Sequence, residues 1–151
     1  MTKRSPFRYF KTSPEIIRLA VMLYVRFPLS LRNVEDLLHE RGIEISHETV
    51  RFWWNRFGPM FAAEIRRTRV SPDRQETGRW LNNRAENSHL PFRRRERAML
   101  RFRQMRCLQK FAAVHSSVHN HFNQERHFYS RDKFKLNRTA ALTEWRQLCS
   151  A

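Results

Sequence analysis

Glycine is scarce. The 151-residue chain has only 3, so glycine-rich phosphate loops and tightly turned β-barrels are both poorly supplied. Cysteine is scarcer still: Cys107 and Cys149 are too few for a disulfide framework and do not stand at metal-ligand spacing. Long hydrophobic runs are also missing. The longest, Leu19 to Val25, falls far short of the roughly 20 residues that span a bilayer. The basic opening from Met1 to Lys11 leads to no small-residue cleavage site, so no signal peptide is expected. Acidic residues are few as well, 14 against 30 Lys and Arg, for a net charge of +16. Together these shortages predict a soluble, cytoplasmic protein with no membrane partner and nucleic acid as the default one.

What is present is apolar and aromatic. A hydrophobic content of 40% with 12 Phe and 4 Trp is too high for a disordered basic tail and supplies a small core. The charge is not confined to one end: residues 1–70 hold 13 basic and 7 acidic side chains, residues 71–151 hold 17 and 7. A single basic run most often means a solvated face, so a motif is needed before charge can be read as function.

The first 70 residues carry helical punctuation. Ser13-Pro14 places a capping hydroxyl before a proline at the first helical position. Ile16, Ala20, Leu23 and Phe27 follow on one face, and Pro28 ends the segment. Ser30 caps a second helix lined by Leu31, Val34, Leu37 and Leu38, with Gly42 where a left-handed residue closes a helix. Ser46 opens a third, with Val50, Trp53, Trp54 and Phe57 at helical spacing, and Gly58-Pro59 is expected to stop it. No alternating strand is legible anywhere, so the chain reads as mainly α.

Two short helices joined across Gly42-Ile43-Glu44-Ile45 behind a supporting helix have the layout of a helix-turn-helix unit. In that layout the third helix enters the major groove. Its polar face offers His47, Glu48, Arg51 and Asn55, and Arg51 and Asn55 have forked groups that match guanine and adenine edges. Arg32, Ser46, Thr49 and Arg56 complete the DNA-facing candidates in this region. The competing reading is a plain three-helix bundle with a charged face. The basic composition tips the balance to DNA.

Residues 69–79 are polar, contain Pro and Gly and lack an apolar period, so they read as a linker. Beyond them, arginines dominate 93–106, with Arg94, Arg95 and Arg97 as further DNA-binding candidates and Met99, Phe102 and Met105 interleaved. Leu108, Phe111, Ala112, Val114, Val118 and Phe122 then resume a helical period, and a last short helix spans Thr139 to Leu148. His115 and His119 stand four apart, a ligand spacing, but no HExxH pattern accompanies them, so a histidine-rich helix surface is the better reading. Cys107 has no identifiable base partner and counts as a small apolar residue. Glu86 stands among arginines, where an ion pair is the usual role. Were the helix continuous past Pro91, Glu86 and Arg93 would share a face.

The stretch from Gly78 to Met99, with Asn82-Asn83-Arg84-Ala85-Glu86-Asn87-Ser88-His89 and Arg93-Arg94-Arg95-Glu96-Arg97 at its centre, resembles the third catalytic block of bacterial transposases of insertion sequence family six. Val118-His119-Asn120-His121-Phe122-Asn123 and Ala141-Leu142-Thr143-Glu144-Trp145 resemble that family's C-terminal end, and Phe7 through Gly58 its helix-turn-helix region. The resemblance implies a DDE transposase with an RNase H-like core, in which two aspartates and a glutamate hold two Mg2+ ions that serve strand transfer. Glu86 aligns with the glutamate, the one metal ligand left, and Arg93 with an accessory basic residue.

One departure qualifies this. In the family, a long segment between the N-terminal region and the glutamate block carries both aspartates and most of the sheet. Here Ile65-Arg66-Arg67-Thr68-Arg69-Val70 runs almost directly into Gln75-Glu76-Thr77-Gly78, and only Asp36, Asp73 and Asp132 remain. The reading is an internally deleted transposase: a DNA-binding region at 1–68, a junction at 69–79, and a helical remnant of the catalytic domain at 80–151. It is expected to hold terminal inverted repeats as double-stranded DNA, to bind no Mg2+ and to be catalytically inactive alone. The alternative is a stand-alone DNA-binding regulator or inhibitor of intact transposase, acting as an oligomer with it or with itself. The helices after residue 80, deprived of their sheet, need a new packing partner.

Overall fold

In the computed structural model, which describes residues 4–68, 92–94, 104–123 and 129–150, five helices account for most of the chain. They are α1 (Pro14–Arg26), α2 (Leu31–His39), α3 (His47–Thr68), α4 (Met105–Phe122) and α5 (Arg131–Arg146). No strand occurs among the described residues, so the mainly α expectation holds. The junction at 69–79 and Phe102 lie outside the described residues.

The caps are those the sequence announces. Ser13 accepts from the Glu15 N–H at 3.3 Å and Ser30 from the Asn33 N–H at 3.1 Å. After α2 the chain turns at Gly42, φ +75°, where the Gly42 N–H donates to the His39 carbonyl and the Ile43 N–H to that of Leu38. This paired closure requires a left-handed residue, and glycine adopts it without strain.

Two helices run longer than their punctuation suggests. Gly58-Pro59 does not stop α3, which continues to Thr68 because Phe61, Ala62 and Ile65 are buried beyond the proline. The acceptor that Pro59 cannot serve, the Asn55 carbonyl, receives the Lys110 ammonium of α4 at 3.1 Å instead. Gly58 is where α3 meets its own Trp54: a Cβ there would stand 2.8 Å from Trp54 Cε3. The last helix begins at Arg131 rather than Thr139, because Ser130 supplies an N-cap by accepting from the Lys133 N–H.

Helix α1 is buried on more than one face. Ile17, Arg18, Val21, Tyr24 and Val25 are inside together with Ala20 and Leu23, because α2, α3, α4 and α5 all pack around it. The helices after residue 80 thus find their partner in the N-terminal ones. Phe7 stacks on Phe57 at 4.9 Å between ring centres, Phe57 on Phe61 at 5.9 Å, Phe61 meets Trp145 at 5.4 Å, and Trp145 meets Phe122 at 5.6 Å. One aromatic series therefore joins the N-terminal segment, α3, α5 and α4.

Polar bonds lock the same joint. Trp145 Nε1 donates to the Arg18 carbonyl at 3.1 Å, while Arg18 Nε donates to the Leu148 carbonyl at 2.8 Å. The Arg18 guanidinium also lies over the Phe7 ring and reaches Ser150 Oγ. Burial depresses the Arg18 pKa, against the pull of Cys149, Glu15 and Glu64. Cys149 takes a left-handed φ of 56° and donates both its N–H, at 2.8 Å, and its thiol, at 3.1 Å, to Glu64 Oε2. Burial first, and the Glu64 bond second, push that thiol up to about 12.

Candidate nucleic-acid interface

The exposed arc of α3 holds four of the residues that the sequence nominated. Val50, Trp53 and Phe57 point inward as expected, with exposures of 2% or less. That inward anchoring fixes the opposite side of the helix, where Glu48, Arg51, Asn55 and Arg56 are exposed. The connection from α2 runs through residues 40–46, longer than the roughly three- or four-residue turn of the simplest helix-turn-helix.

At the start of α3 the nominated residues are tied to one another. Ser46 is the cap: its hydroxyl accepts from the Thr49 N–H at 3.3 Å and lies 3.0 Å from the Thr49 hydroxyl. His47 Nδ1 sits 2.8 Å from Glu35 Oε2, the same oxygen that accepts the His47 N–H at 3.1 Å. The hydrogen bond from His47 holds the Glu35 carboxyl below its usual range, and Arg32, exposed on α2, adds to the effect. On its other side His47 Nε2 is 3.3 Å from Glu48 Oε1. Arg51 Nη1 lies 3.0 Å from both Glu48 oxygens.

Further along, Asn55 is engaged at both ends of its amide. Its Nδ2 donates to the Arg51 carbonyl at 3.0 Å, and its Oδ1 accepts from Lys110 Nζ at 3.1 Å. Lys110 also stands over the Trp54 ring. Arg56 lies flat toward Phe10 and Phe57, 5.6 and 5.8 Å from their ring centres. Of the surface charges in this arc, Arg51 is held only by an exposed ion pair, a weak restraint that a phosphate or base edge can replace.

The remaining candidates fall elsewhere. Arg93 and Arg94 are exposed, beside Phe92, whose ring meets Phe111 and His115. Glu86, Arg95 and Arg97 lie outside the described residues. His115 is not on a surface as the sequence reading had it: it is 4% exposed, packed by Phe111 and by the His119 ring at 5.7 Å. Burial, and then Arg26, lower the His119 pKa. Cys107 is exposed rather than packed as a small apolar residue, because it lies in the first turn of α4, ahead of the buried stripe.

One residue escaped the sequence reading altogether. Phe52 is 53% exposed on α3. At 100° per residue it projects about 150° away from the mean direction of Val50, Trp53, Trp54 and Phe57, so helical arithmetic alone would have set it apart from the core.

Comparison with known proteins agrees with the transposase resemblance. Residues 61–125 match the family model of a DDE domain of the IS240 transposase type. The chain is 37% identical over 54 residues to the "Transposase for insertion sequence-like element IS431mec" of Staphylococcus aureus strain N315. It is 35% identical over 54 residues to the "Transposase for insertion sequence element IS257 in transposon Tn4003" of Staphylococcus aureus. Each alignment takes in 36% of this chain and 24% of the relative, so the chain spans about a quarter of the length of the curated relatives it matches. No solved structure matches the chain.

Proposed function

We propose that this chain, similar over part of its length to insertion-sequence transposases, belongs with the DDE transposases of insertion sequence family six, grips the element's terminal inverted repeats and does not cut them by itself. The observation that carries this reading is the orientation of α3: Val50, Trp53 and Phe57 are buried, at 2% exposure or less, with the Arg51 side exposed on a chain of net charge +16. In this reading α2 and α3 act as a helix-turn-helix with a lengthened turn. Arg51 reads a base edge, while Arg32, Arg56, Arg93 and Arg94 contact phosphates.

The inactive half of the proposal rests on donor chemistry. Intact members of the family use Mg2+, which needs several oxygen ligands gathered at one place. Asp36 sits within α2 and Asp132 in the first turn of α5, and neither follows a strand. Among the described residues no group of three or more His, Cys, Asp or Glu could hold a metal ion. Glu86 and Asp73 lie outside the described residues, and no catalytic step is assigned to Asp36 or Asp132.

A second reading is favoured by the shared core. The helices on both sides of residues 69–79 bury one another's apolar faces, so they make a unit that competes with intact transposase for the repeats or pairs with it. The described helices include none long and apolar enough to cross a membrane. The test is a titration of labelled terminal-repeat duplex against a scrambled duplex over a range of salt. Selective binding that weakens as salt rises is the expected result. Equal affinity for both duplexes at every salt concentration would reduce the chain to a non-specific basic protein.

A further inference from the structure

Two large aromatic side chains stand in solvent where a core-forming sequence would hide them. Tyr9 is 82% and Phe52 53% exposed. Phe10, next to Tyr9 in sequence, is half-buried, with its ring centre 6.2 Å from that of Phe52 and 5.1 Å from that of Phe57. Cations accompany two of these rings: Arg8 lies over Tyr9 at 5.7 Å and Arg56 over Phe10 at 5.6 Å. Arg51 precedes Phe52 on α3, and its partner Glu48 is the acid one helical turn before Phe52.

Apolar surface in solvent calls for an occupant. A second copy of this chain would bring another net charge of +16 against these arginines, so like-charge repulsion opposes it. The occupant that satisfies both the rings and the cations is a polyanion with flat apolar faces. Duplex DNA hides its base faces in the stack, whereas a single strand exposes them to aromatic side chains while its phosphates meet arginine.

We propose that Phe52 and Phe10, with Arg51 and Arg56, form a stacking platform for unpaired bases of a DNA strand. This rests on the DNA-binding reading and adds strandedness to it: the same edge of α3 that faces a duplex end also holds bases splayed from it. Because Phe52 is half-exposed and lies outside the buried core, its replacement removes no fully buried side chain.

The test uses the full chain and three fluorescent probes: a thymidine oligonucleotide, an abasic strand of equal length, and a random-sequence duplex. Anisotropy at fixed salt gives the affinity for each. Phe52→Ala is expected to weaken binding to the thymidine strand about tenfold. It should leave the duplex and abasic affinities unchanged, and Phe52→Trp should restore the loss. Wild-type and Phe52→Ala proteins that bind the thymidine strand equally, with duplex binding intact, would overturn the platform and leave the DNA-binding reading standing. A wild-type chain that binds none of the probes would overturn both. Self-association abolished by Phe52→Ala, without any change in strand affinity, would assign the patch to a second copy and also overturn the proposal.

Discussion

The Lys110 ammonium sits 3.1 Å from the main-chain carbonyl of Asn55, the acceptor four residues before Pro59, and so supplies the hydrogen that the proline lacks. The same ammonium binds Asn55 Oδ1. A side chain of α4 therefore keeps α3 helical across a proline and at the same time occupies a residue whose chemistry suits adenine recognition. Replacing Lys110 with Met should cost about 1 kcal/mol, the worth of a half-exposed hydrogen bond. In a Pro59→Ala background the carbonyl regains an intrahelical donor and the cost should shrink. Urea unfolding of the four proteins in this cycle measures the coupling, and equal costs in both backgrounds would separate Lys110 from the proline.

Arg18 joins α1 to the C-terminal end of the described chain through the Leu148 carbonyl and Ser150 Oγ. Arg18→Met keeps the aliphatic stem but removes both bonds, and is expected to destabilise the fold by about 1.5–3 kcal/mol. The check is chemical denaturation followed by tryptophan fluorescence, with Trp145, which donates to the Arg18 carbonyl, among the reporters.

Cys149 gives the fold a dependence on alkaline pH. Its thiol is raised from 9.0 to about 12, chiefly by burial, so the folded state retains a proton that the unfolded chain releases. The stabilisation is complete below pH 9 and is lost as pH rises from 9 towards 12. Cys149→Ser keeps a donor for Glu64 without an ionisation in this range, so its stability should decline less over that window. Unfolding midpoints at several pH values for both proteins make the comparison.

Arg51 and Glu48 have opposite expected effects on DNA. Arg51→Ala should weaken binding to the preferred site by about 1–3 kcal/mol and relax discrimination against the scrambled duplex. Glu48→Gln removes the carboxylate that Arg51 now faces at 3.0 Å, and should raise affinity. Anisotropy titrations of both variants test the pair. An unchanged site preference in Arg51→Ala would tell against α3 as the reading helix.

Local chemistry was legible where a residue acts within its own turn. Ser13, Ser30 and Gly42 do what their types and positions announce, and the inward set Val50, Trp53 and Phe57 follows from periodicity. The end of α3 was not legible, because the burial of Phe61, Ala62 and Ile65 and the bond from distant Lys110 to the Asn55 carbonyl together override the proline signal. Nor was the full burial of α1, which depends on four neighbours that no single-helix pattern encodes. Among the candidate site residues, the types were readable but their engagements were not. His47 faces two carboxylates and Asn55 is spent inside the chain, whereas Phe52, passed over as one aromatic among many, stands in solvent. The resemblance to transposases was carried by contiguous motifs and agrees with the DDE-domain match over residues 61–125.

The central claim, that this chain holds DNA without cutting it, meets its most direct test in one incubation. The purified full chain is mixed with an end-labelled duplex carrying the terminal inverted repeat, in buffer containing Mg2+, and the mixture is resolved on native and denaturing gels. The account predicts a retarded band on the native gel and full-length strands on the denaturing one. Shortened or strand-transferred products that depend on Mg2+ would contradict it.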